Sequence, residues 1–180
     1  RYTVQETTDD LLLDGYTVTS EGAEGTILKD KGSYAVTYVN TRSTGEVEIS
    51  KTLAGTGAVN DTHKDKEFTF TMELTRTDDV REALWKNHTY EAELTAPGLY
   101  TVTTLEVKDG KAEFTLKGGQ TLSILGLPKG TEYIVTEDDS CFAEGYITEP
   151  DTYTFSNKIT DAPDGYLANF VNSRNEGSLT

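Results

Sequence analysis

Apolar and polar residues alternate with a period of two along most of this chain. Thr, Tyr, Val, Phe and Ile recur at every second position, and Gly, Pro, Asp and Asn interrupt the runs. That alternation predicts half-buried strands near 46–53, 67–75, 89–95, 99–107, 111–117, 121–125, 132–137, 146–148, 152–155 and 166–172. The run Leu127-Pro128-Lys129-Gly130-Thr131 predicts a turn, because proline fixes φ and glycine permits φ > 0. Only Asp78 to Lys86 breaks the pattern, and it reads as a short helix capped by Thr77 or Asp78, with Leu84 and Trp85 folded back on the strands. Many short strands with regular turns predict an all-β sandwich or barrel carrying one short helix.

The pattern repeats. Tyr2, Val4 and Glu6 correspond to Tyr133, Val135 and Glu137, 131 positions later. Tyr34, Tyr38, Val39, Asn40 and Arg42 correspond to Tyr166, Phe170, Val171, Asn172 and Arg174, 132 positions later. Gly45 and Val47 likewise match Gly177 and Leu179. The expected organisation is a tandem array: residues 1–42 as the C-terminal part of a preceding repeat, 43–174 as a complete repeat, and 175–180 as the start of a following one. So long a period suggests beads on a string rather than a solenoid.

Three polar residues extend apolar rows. Side chains on a strand alternate between faces, so Val47, Ile49, Lys51 and Leu53 share one face. Tyr133, Val135 and Glu137 share another, as do Tyr166, Ala168, Phe170 and Asn172. In the partial repeat Glu6 and Asn40 fall at the same places. Asn169 has Thr37 as its counterpart, which selects Asn172. A buried charge without a partner is costly, so the three should satisfy one another. Two accounts are open. One is a buried ion pair with a hydrogen bond, or three residues at strand ends. The other is chemical: burial favours a neutral lysine and a protonated glutamate. Lys51 would then attack the Asn172 carboxamide, and Glu137 would hydrogen-bond its oxygen and shuttle protons, so that ammonia leaves and a Lys–Asn amide remains.

Charge and composition narrow the function classes. The formal net charge is −15, which repels phosphate backbones and disfavours nucleic-acid binding. No 18-residue apolar run is present, so no membrane insertion is expected in this segment. Cys141 is the single cysteine, read as a small, partly buried residue near a turn, so no intramolecular disulfide can form. His63 and His88 stand in no metal or catalytic motif, and no nucleophile elbow or phosphate loop occurs. The acidic pairs Asp9-Asp10 and Asp138-Asp139 read as solvated turns. Neither a metal site nor a cofactor is expected, and no enzyme with turnover.

Taken together, Val-Glu-Ile-Ser-Lys51, Gly126-Leu-Pro-Lys-Gly-Thr-Glu-Tyr-Ile-Val-Thr-Glu137 and Ala168-Asn-Phe-Val-Asn172 resemble the CnaB-type and pilin isopeptide-linkage domains of Gram-positive surface adhesins and sortase-assembled pilins. The resemblance covers the complete repeat. It implies an immunoglobulin-like, transthyretin-like β-sandwich with an isopeptide bond between Lys51 and Asn172 and Glu137 as its catalyst. Ala168 departs from the family's usual Val. The 1–42 segment departs further, having Glu6 and Asn40 but no matching lysine, so no bond is expected there within this chain. The expected function is a stalk or shaft repeat on an extracellular, cell-wall-anchored fibre. Its partners would be neighbouring repeats, other pilin subunits or a host surface ligand. The competing reading is an adhesin module that itself binds a host protein or glycan through exposed tyrosines or the segment near Trp85.

Overall fold

The computed structural model describes residues 1–9, 11, 15–28, 32–58, 63–78, 80–150, 153–160 and 166–175. They form two compact units, Arg1–Ser43 with Asp78–Arg81, and Thr44–Thr77 with Glu82–Thr180. In the first unit β1 (Tyr2–Thr3) pairs antiparallel with β3 (Glu24–Gly25), and β2 (Tyr16–Glu21) pairs antiparallel with β4 (Thr37–Arg42).

The second unit contains β5 (Thr44–Ala54), β6 (Glu67–Thr75), β7 (His88–Ala96), β8 (Leu99–Val107), β9 (Lys111–Lys117), β10 (Thr121–Pro128), β11 (Glu132–Glu137), β12 (Ile147–Glu149), β13 (Thr154–Lys158) and β14 (Tyr166–Ser173). One sheet has the order β12-β14-β5-β10-β7-β8, the other β13-β11-β6-β9. All ten strands expected from the alternation in 43–174 are present. The fold is an all-β, immunoglobulin-like sandwich.

The inward rows of the two sheets make the core. Val47 and Ile49 of β5 and Ala168 and Phe170 of β14 meet Phe70 and Met72 of β6 and Tyr133 and Val135 of β11, all buried. Burying each large apolar side chain stabilises the fold by about 1.5–3 kcal/mol. Phe70 sits at the centre: its ring lies 5.4 Å from Phe114, nearly parallel, and 5.1 Å from Phe170, edge-on.

Most neighbouring strands run antiparallel, but β14 and β5 run parallel, from Tyr166 opposite Val47 to Ser173 opposite Ala54. The first and last strands of the repeat are therefore direct neighbours. β5 ends where Gly55 takes φ +84° against the Arg174 carbonyl; a Cβ there would lie 2.4 Å from that oxygen.

Three expectations are corrected. The helix at Asp78 to Lys86 is only a 3₁₀ turn, Glu82–Leu84; Asp79 lies outside the described residues. It stops because Lys86 O accepts from Gly110 N and Asn87 Oδ1 accepts from Asp109 N, which turns the chain into β7. Trp85 is nonetheless buried, and Leu84 half-buried. The turn at Leu127 starts later: Leu127 and Pro128 still pair with Gly45 and Thr44 as part of β10. Asp138 and Asp139 are exposed, as expected, but Asp138 does not stand in a simple turn. It caps a second 3₁₀ helix, Asp139–Glu144, by accepting from Ser140 N at 2.9 Å, which holds its carboxyl below the usual range. Asp10 lies outside the described residues.

Candidate functional site

Lys51, Glu137 and Asn172 meet in the core of the second unit, each no more than 2% exposed. Two of them come from neighbouring strands. In the parallel β5–β14 register Phe170 lies opposite Lys51 and Asn172 opposite Leu53, so the lysine and asparagine project from one sheet face, two residues apart. Glu137 ends β11 in the facing sheet, opposite Phe70. Three apolar rows thus converge on three polar side chains.

One carboxylate oxygen joins the group. Lys51 Nζ donates to Glu137 Oε1 at 2.7 Å, and Asn172 Nδ2 donates to the same oxygen at 2.6 Å. Glu137 Oε2 and Asn172 Oδ1 are buried without a hydrogen-bond partner. The amide therefore turns its nitrogen, not its oxygen, to Glu137, contrary to the expectation that Glu137 binds the carboxamide oxygen.

Burial dominates the lysine. Desolvation pushes the Lys51 amine below its ordinary pKa, and the hydrogen bond and charge of Glu137 oppose that shift. Nζ also lies 4.3 Å from the centre of the Phe68 ring and 5.9 Å from that of Phe70. The pair is buried, and one proton passing along the 2.7 Å Nζ–Oε1 hydrogen bond would neutralise both groups.

The first unit carries half of the same arrangement. Asn40 Nδ2 donates to Glu6 Oε1 at 3.0 Å, the same donor and acceptor as at Asn172 and Glu137.

Cys141 also borders this group, a neighbour that the alternation did not reveal. It is 2% exposed, in the 3₁₀ helix after β11, and its Sγ lies 3.5 Å from Asn172 Nδ2. Its spacing of four from Glu137 was visible, but a single cysteine with no periodic context gave no reason to place it against Asn172. Among the described residues, no group of three or more His, Cys, Asp or Glu is gathered as a metal site would require.

The family model described as "Domain of unknown function (DUF7601)" matches residues 45–174. The "Pilus tip adhesin Cpa" of Streptococcus pyogenes is 38% identical over 122 residues, covering 68% of this chain and 14% of that protein. A "Pilin" of Streptococcus pyogenes serotype M1 is 29% identical over 111 residues, covering 62% of this chain and 31% of that protein. The chain thus spans less than a third of either relative. Among solved structures, the pilus-presented adhesin Cpa superposes with a TM-score of 0.56 at 27% identity, covering 76% of this chain and 28% of that one. The major pilin of Streptococcus pyogenes gives 0.56 at 24% identity over 77% of this chain and 50% of that one, a likeness of fold. This chain belongs to the DUF7601 family, and its repeat is a domain of the pilin and CnaB type.

Proposed function

We propose that this chain is part of the stalk or shaft of a bacterial surface pilus or adhesin, and that residues 43–174 are a whole repeat locked by an isopeptide bond between Lys51 and Asn172. The observation that carries the reading is the single Glu137 oxygen, 2.7 Å from the attacking nitrogen and 2.6 Å from the departing one. From the ammonium–carboxylate pair, Nζ passes a proton to Glu137 and becomes nucleophilic. It bonds to Asn172 Cγ while the Cγ–Nδ2 bond breaks. In all, Nζ gives up two protons, which reach Nδ2 by way of Glu137; the nitrogen leaves as ammonium and the carboxylate is regenerated. The reaction occurs once per chain, so it is self-modification rather than turnover. Residues 1–42 are read as the end of a preceding repeat, in which Glu6 and Asn40 have no matching lysine within these 180 residues.

The bond suits a fibre. Tension would enter at β5 and leave at β14, parallel neighbours loaded in shear. A bridge from Lys51 to Asn172 would short-circuit the 120 residues from 52 to 171. Single-molecule extension tests this. The Lys51→Ala chain should release on the order of 400 Å more length than the parent as those 120 residues unravel. Equal extensions would contradict the stalk reading. The relatives' names place them in pili, which supports an exposed surface location and assembly with other subunits for this chain.

The cross-linking rate should be nearly flat between about pH 6 and 8. The reactive neutral pair is a tautomer of the ion pair and holds the same number of protons, so its share does not change with pH. Burial, which pushes Lys51 down, raises that share. A time course of ammonia loss at several pH values checks this; a tenfold rise per unit would mean that Lys51 must lose its proton to solvent instead.

A further inference from the structure

We propose that the free edge of β8 is a docking site for an extended, basic segment of a partner protein, which would join the six-stranded sheet as a seventh strand. The order of that sheet is β12-β14-β5-β10-β7-β8, so β8 has a strand on one side only. On its other side, backbone N–H and C=O groups are available to an added strand. Sheet edges are ordinarily closed to such pairing by short length, a proline, a bulge or a charge in mid-strand. β8 lacks these guards. It is nine residues long and pairs with β7 in unbroken register from Leu99 to Val107. Leu99 to Leu105 contains no proline and no charged residue.

The side chains are open as well. Leu105 and Val107 are buried, but Leu99, Thr101 and Thr103, on the same face, are exposed. The facing sheet therefore covers one end of β8 and not the other. On the outward face Tyr100 is 62% and Val102 55% exposed. An added strand would meet apolar surface on both faces of this end.

Charge selects the occupant. On the outward face β7 places Glu93 opposite Val102 and Glu91 opposite Thr104, and Glu106 follows on β8 itself. Glu106 pairs with Lys108, and Glu93 accepts from Tyr100 Oη at 2.7 Å. Glu91 has no cation partner among the described residues. Neighbouring strands lie about 4.8 Å apart, so an added strand would run about 10 Å from β7. A lysine or arginine set opposite Val102 would lay its stem along that side chain and bring its charge to Glu93. One set opposite Thr104, two residues away, would reach Glu91 in the same way. The segment that fits has cations at alternate positions. A second copy of this chain fits less well, because it would add its own carboxylates to this face on a molecule of formal net charge −15.

The test titrates the whole, isotope-labelled chain with a peptide of the length of β8 in which lysine and valine alternate. Its counterpart carries glutamate in place of lysine. The lysine peptide should shift the backbone amide signals of β8 and protect them from hydrogen exchange, and the glutamate peptide should bind about tenfold more weakly or worse. Val102→Lys sets a like charge in the middle of the edge, at an exposed position, and should weaken the lysine peptide about tenfold. If that substitution disturbs the hairpin, Thr104→Lys carries the same expectation. Absence of shifts in β8, equal affinity for the two peptides, or equal affinity of parent and variant overturns the proposal. A dimer of the parent that Val102→Lys abolishes also overturns it, since the edge would then belong to a second copy. None of these readouts involves Lys51 or Asn172, so they are independent of the cross-link.

Discussion

Glu137→Gln is expected to fold and to keep its full mass, with Lys51 and Asn172 unjoined. Glutamine retains the shape of the side chain but cannot take the lysine proton and return it to the leaving nitrogen, because an amide is neither a base nor an acid at neutral pH. The buried amine would also lose its counter-ion, in a place where burial already lowers its pKa. The stability consequence is large. In the chain-entropy picture developed for disulfides, tying Lys51 to Asn172 closes a loop of 120 residues and stabilises by roughly 4–5 kcal/mol. The melting midpoint of Glu137→Gln should therefore fall on the order of 10–20 °C below the parent. Scanning calorimetry of the two chains reads this directly. Coincident midpoints would mean that no bridge restrains the parent.

Phe70→Ala should have an effect of similar size for a different reason. Phe70 is fully buried between the two sheets and touches both Phe114 and Phe170. Truncation there removes about 3–5 kcal/mol, as transfer energy and as the cavity left behind. A second consequence follows from its place beside the site, with its ring centre 5.9 Å from Lys51 Nζ. Water entering the cavity would solvate the ammonium and favour the charged amine, so cross-linking should slow as well. Denaturant titration gives the first effect and the ammonia-loss time course the second. A midpoint within experimental error of the parent would show that the core does not depend on this ring.

Much of this architecture was written in the alternation of the sequence. The row Val47, Ile49, Lys51 in β5 reads as inward-facing at sight, and each of the three is buried. A period of two reports the face of each strand and, with the turn residues, its ends. It does not report which strands adjoin. The parallel pairing of β5 with β14 joins residues more than a hundred positions apart, and no local signal specifies it. Hydrogen-bond competition explains the other differences. The Asp78 to Lys86 run has helical composition, but the Lys86 carbonyl is taken by Gly110, and tertiary contacts override propensity. Asp138 is the surface residue it looks like, and its bond to Ser140 N makes it a cap as well. The contact of Asn172 Nδ2 with Glu137 Oε1 joins strands of two different sheets, which no single strand's alternation reports. Cys141 enters the site through a short 3₁₀ helix, whose side-chain directions follow neither strand nor α-helix periodicity.

The most direct test of the account is the intact mass of the parent chain under denaturing conditions, measured beside Lys51→Ala. The account expects the parent to weigh one ammonia less than its sequence, and the control to show its full mass. A parent of full mass would contradict it, leaving Lys51, Glu137 and Asn172 as a buried, hydrogen-bonded polar cluster in a non-covalent sandwich.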